Sequence, residues 1–70
     1  MRANIEAERG RKRIPKYKLS QMLGISQETY NRYINGENSI PSDVLVNMRN
    51  IFGCSIDYLL GVIDERQEIS

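Results

Sequence analysis

The segment from Pro15 to Gly36, PKYKLSQMLGISQETYNRYING, admits few structures besides two short helices joined by a glycine turn. Pro15 suits the first position of a helix, where its missing N–H would have no partner in any case. Tyr17, Leu19, Met22 and Leu23 recur at three- and four-residue spacing and predict a buried stripe. Gly24 supplies the left-handed residue that closes this helix. Ser26 then stands at the N-cap of a second helix, with the Glu28 carboxylate in its first turn. Asn35-Gly36 terminates it.

The second helix has two chemically distinct sides. At about 100° per residue, Gln27, Glu28, Asn31, Arg32 and Asn35 gather on one side. Thr29, Tyr30 and Tyr33 gather on the other, and Ile34 lies at the border. The first side carries amide, carboxylate and guanidinium groups, all able to hydrogen-bond base edges. The second offers two tyrosines to bury. The pair of helices is a candidate helix-turn-helix.

Seventy residues make one small domain with little room for a deep active site. No run approaches the length of a membrane span, and no charged-then-apolar signal peptide opens the chain. The single cysteine, Cys54, has no internal disulfide partner and reads as a small buried hydrophobe. A reducing, cytoplasmic setting is therefore expected. Without histidine there is no ordinary metal site, and no base stands ready to activate a serine or cysteine nucleophile. The chain is expected to be no enzyme and to need no cofactor or metal.

The net charge of +1 conceals an asymmetry. Residues 1–35 hold eight basic groups (Arg2, Arg9, Arg11, Lys12, Arg13, Lys16, Lys18, Arg32) against Glu6, Glu8 and Glu28, a net +5. Residues 36–70 hold Arg49 and Arg66 against six acids, a net −4. A positive half beside a negative half suits a phosphate-facing surface with an opposite, non-binding side.

Residues 2–13 predict a first helix, with Ala3, Ile5, Ala7 and the stems of Arg9 and Lys12 as inward positions. Gly10 weakens it by about 1 kcal/mol against alanine, and the alternative ends the helix there, leaving Arg11-Lys12-Arg13 as a loop. That basic run is either a phosphate clamp or a solvated helix end that complements the helix dipole. Pro41 opens a further helix through Phe52, with Val44, Leu45, Met48, Ile51 and Phe52 facing the core. Gly53 ends it, and Ser55 caps a last short helix whose Ile56, Leu59 and Leu60 point inward. From Val62 to Ser70 the chain is polar and acidic, a frayed tail or the start of a linker.

The pattern LSQMLGIS, TYNRYING and IFGCSIDYLLG resembles the Cro/repressor-type helix-turn-helix proteins, the XRE family, over roughly residues 4–61. The resemblance implies an all-α, five-helix lambda-repressor-like DNA-binding domain at residues 1–61, its helix-turn-helix at 15–36. It also implies a sequence-specific regulator of transcription, a repressor of a phage or mobile element, reading the major groove with residues 27–35. Base contacts are then expected from Gln27, Glu28, Asn31 and Arg32: an amide to adenine, Arg to guanine, Glu to cytosine N4. Phosphate contacts are expected from Lys16, Lys18, Asn35 and Arg13. A rival from another class is an antitoxin or anti-repressor-like module, using its surfaces for a protein partner.

Three departures from the family pattern stand out. Pro15 replaces the usual Ser or Thr cap. Ile34 stands where many members carry a glutamate paired with a first-helix arginine, here Arg9, so Ile34 is expected to pack apolarly. Glu37, Asn38 and Ser39 occupy a loop that is often basic, which argues against strong phosphate binding there. A single such module buries only about 600–1,000 Å² on DNA, so a homodimer on a palindrome is expected. Its contact surface is placed at Ile51–Val62, where Tyr58, Val62 and Ile63 form either an apolar patch or ordinary core and tail.

Overall fold

The computed structural model describes residues 2–63, which form five α-helices and no strand. They are α1 (Ala3–Arg11), α2 (Lys16–Leu23), α3 (Gln27–Asn35), α4 (Ser42–Phe52) and α5 (Ile56–Leu60). This is the all-α, lambda-repressor-like arrangement, with α2 and α3 as the helix-turn-helix. The expected tail lies, from residue 64, outside the described residues.

Local chemistry sets the helix ends. Gly24 and Gly36 close α2 and α3 at φ of 70° and 81°, a region where any Cβ is penalised. The Ser26 hydroxyl accepts from the Thr29 N–H at 3.1 Å, and the Ser55 hydroxyl from the Tyr58 N–H at 3.2 Å. Pro15 lies one position earlier than predicted. It is the N-cap of α2, with ψ of 152°, and its carbonyl accepts the first intrahelical bond from Leu19. Pro41 does the same for α4. Both fit because a cap needs no N–H of its own and keeps extended ψ.

The core gathers Ile5 of α1, Leu19 and Leu23 of α2, Tyr30, Tyr33 and Ile34 of α3, Val44, Met48 and Phe52 of α4, and Tyr58 and Leu59 of α5. Ile40 and Cys54 complete it from the loops. In this frame α1 packs on α5 and α3, while α4 packs on α5 and α2. No helix among the described residues is long and apolar enough to cross a membrane.

Several inward assignments are corrected. Tyr17 and Met22 are 59% and 46% exposed. The buried line of α2 is Leu19, Ser20 and Leu23, and both side chains fall about 110° to either side of it. Ser20 can take the inward slot because it is small and its hydroxyl donates to the Lys16 carbonyl at 2.8 Å.

In α1 the chain runs helically through Gly10, yet Ala3, Ala7 and Lys12 are exposed. The spacing 3, 5, 7 is a strand period, and on a helix it puts both alanines about 160° from Ile5. Glu8 shares the inward side with Ile5 instead. Ile56, Leu45, Ile51 and Leu60 are only partly buried.

The expected apolar patch for a partner also dissolves. Tyr58 is buried and Ile63 packs against the core, leaving only Val62 on the surface.

Candidate nucleic-acid interface

The sequence divides α3 into a buried back and an open front, and the packing follows. Tyr30, Tyr33 and Ile34 sit in the core, and Thr29 is half-buried beside them. Gln27, Glu28, Arg32 and Asn35 are exposed on the front, with Asn31 half-buried. Across one turn of this front the Arg32 Nη2 donates to Glu28 Oε1 at 2.9 Å. Both partners stay more than half exposed, so the pair orients two side chains rather than stabilising the fold.

The back of α3 is held by Glu6. Its Oε2 accepts from the Tyr30 hydroxyl at 2.8 Å and from Arg9 Nε at 2.6 Å. Its other oxygen, Oε1, lies 3.8 Å from Lys16 Nζ at the start of α2. One carboxylate thus joins α1 to both helices of the helix-turn-helix. Burial alone would raise the Glu6 pKa, but the bonds from Arg9 and Tyr30 and the charges of Arg9 and Lys16 outweigh it. The net effect is a pKa below the ordinary 4.5. Burial first, and the Glu6 carboxylate second, push the Tyr30 phenol well up, so it remains a donor across the physiological range.

Ile34 packs apolarly, as expected from its departure from the family pattern, and Arg9 finds other partners. Besides Glu6 it donates from Nη1 to the Ile14 carbonyl at 3.0 Å, while the Ile14 N–H donates to the Arg9 carbonyl at 3.1 Å. This reciprocal pair closes the turn between α1 and α2. Within that turn Arg13 has φ of 56°, the one positive φ outside glycine among the described residues.

A second anchor comes from Arg2. Its backbone N–H donates to the Ile34 carbonyl at 2.7 Å. Its guanidinium donates to the Tyr33 carbonyl, and to the Asn38 carbonyl at 3.0 Å. These are carbonyls at the end of α3 and in the loop beyond; that of Tyr33 also accepts from the Gly36 N–H at 3.2 Å. The negative end of the α3 dipole therefore meets a cation.

The expected phosphate ligands are spread over the turn, α2 and the end of α3. Arg13, Lys18 and Asn35 are exposed, and their side chains form no ion pair or hydrogen bond with any described residue. Lys16 is instead drawn toward Glu6. Of the basic run, Arg11 ends α1 and lies 3.7 Å from Glu8, while Lys12 is exposed. The loop residues Glu37, Asn38 and Ser39 are exposed and bring no cation.

Sequence reasoning missed Arg2, Glu6 and Glu8. The opposite charges of Glu6 and Arg9 at i and i+3 were a local hint. The bonds from Arg2 to residues more than thirty positions away leave no trace in spacing.

A family model described as helix-turn-helix matches residues 5–59, well over half of the chain. No curated protein and no solved structure shows a significant match. With α2 and α3 in place and the front of α3 open to solvent, the chain belongs to the Cro/repressor-type helix-turn-helix family of DNA-binding transcription regulators.

Proposed function

We propose that this regulator is a repressor of a phage or mobile element, acting in the cytoplasm and reading a palindromic operator as a homodimer. Residues 1–61 form its DNA-binding domain, and residues 62–70 a polar tail or the start of a linker. The observation that carries the reading is the open front of α3, with Gln27, Glu28 and Arg32 exposed above a back fixed by Tyr30, Tyr33 and Ile34. Such a helix can enter the major groove without giving up core contacts.

Base reading is assigned to Gln27, Glu28, Asn31 and Arg32. The Glu28–Arg32 pair favours a site holding both a cytosine N4 donor and guanine acceptors. Lys16, Lys18, Arg13 and Asn35 take phosphates, with the N-terminal N–H groups of α2 beside Lys16. Tyr58 is buried and so takes no part in the pairing surface of the dimer.

The test is selection from a pool of random duplexes at low and moderate salt. Enrichment of one short motif, with affinity falling steeply as salt rises, is the expected result. Absence of retention on any duplex at low salt would reject DNA reading and favour the protein-interaction module.

A further inference from the structure

We propose that Glu6 is a positioning residue that restrains Lys16 and so sets the salt dependence of DNA binding. The proposal rests on the assignment of Lys16 to phosphate contact. It goes beyond that assignment in giving a controlling role to a carboxylate that touches no DNA.

The two oxygens of Glu6 have different tasks. Oε2 is occupied by Arg9 Nε at 2.6 Å and the Tyr30 hydroxyl at 2.8 Å, two donors from α1 and the back of α3. Those bonds fix the carboxylate plane and leave Oε1 directed at Lys16 Nζ, 3.8 Å away. Glu6 cannot follow Lys16 outward without breaking bonds to both. The Lys16 side chain is 42% exposed against 21% for Glu6, so the lysine is the partner able to move.

A lysine with no partner in the free protein that meets a phosphate adds close to one released counterion, about 0.9 in the slope of log affinity against log salt. Lys16 does not start without a partner. When it turns to a phosphate it gives up the attraction of Glu6, which keeps Arg9 as its partner. Salt screens that attraction too, so the fall of affinity with rising salt is partly offset. Glu6 therefore weakens non-specific attraction to any duplex while leaving the base-reading front of α3 untouched.

Glu6→Gln keeps a carbonyl oxygen to accept from Tyr30 and Arg9, and puts an uncharged amide NH2 in place of the oxygen that faces Lys16. Binding of the selected operator and of a scrambled duplex is measured across a salt series for wild type, Glu6→Gln, Lys16→Ala and the double variant. Glu6→Gln is expected to tighten both duplexes about two- to five-fold at low salt, the scale of an exposed ion pair. It is also expected to steepen the salt slope by up to about 0.9 and to leave base preference unchanged.

In the Lys16→Ala background the same change is expected to do nothing. An equal effect in both backgrounds would mean general removal of negative charge, and would overturn the proposal, as would an unchanged slope. If Lys16→Ala alone leaves binding unaltered, Lys16 is no phosphate contact and the proposal falls with that assignment, a failure distinct from the others. Should Glu6→Gln not fold at the assay temperature, Lys16→Ala still decides. A slope change well below about 0.9 supports restraint, and a full phosphate's worth overturns it.

Discussion

Glu28 and Arg32 face each other across one turn of α3 and are joined at 2.9 Å. The pair leaves the other guanidinium nitrogens of Arg32 available and sets their direction before DNA arrives. Arg32→Ala and Gln27→Ala should each alter which bases are preferred, costing about 1–3 kcal/mol at their own positions. Glu28→Ala should broaden the preference at the Arg32 position, because the guanidinium loses its guide. Selection from random duplexes reads all three. A uniform loss of affinity across sequences would mean that α3 lies differently on the groove.

Leu59 is wholly buried in a helix of five residues. Leu59→Ala should cost about 2–5 kcal/mol in denaturant unfolding. For a domain this small that is a large share of its total stability. A thermal midpoint that barely moves would show that α5 does not contribute to the core.

Two changes near the α1–α2 turn should raise stability. Gly10 lies inside α1 with open space where a Cβ would stand, so Gly10→Ala should add about 0.5–1 kcal/mol. Arg13 pays for a left-handed φ of 56°, and Arg13→Gly should recover about 1 kcal/mol. Only the second should also weaken DNA binding, through loss of the phosphate contact proposed for Arg13, so melting curves and binding titrations separate strain from charge.

Glu6 links stability to acidity. Its folded-state pKa is depressed, so its contribution is fully present above the ordinary value of 4.5 and disappears as pH falls through the lower folded value. Wild type should melt above Glu6→Gln at neutral pH, and the gap should close as pH drops below about 4.5. A gap that stays constant into acid would mean that the carboxylate's charge does not contribute.

The dimer is tested by titrating protein onto duplexes carrying one half-site or two, with half-site centres about one helical turn apart. Cooperative two-to-one binding on the palindrome is expected. Equal, independent affinity for isolated half-sites would exclude it.

The glycines, the serine caps and the two faces of α3 were legible because each depends on residues within one turn of each other. Phase was harder to read. In α2, four apolar residues over two turns allow several inward lines, and Ser20 took the slot that Tyr17 and Met22 were given. In α1, alanines are too small to declare a side, and a buried Glu8 contradicts the usual sign of the pattern. The open front of α3 was visible in sequence, whereas its supports were not. Glu6 meets Tyr30 across twenty-four positions, and such a bond appears only when the helices are packed.

The grip of Arg2 on the end of α3 has a different kind of consequence. Its partners there are the main-chain carbonyls of Tyr33 and Ile34, atoms that every amino acid possesses. The clamp is therefore blind to which side chains line the exposed side of α3. A graft that exchanges Gln27, Glu28, Asn31 and Arg32 for another set would keep the same seat. The helix can be rewritten toward a new operator as a cassette, its mounting left alone.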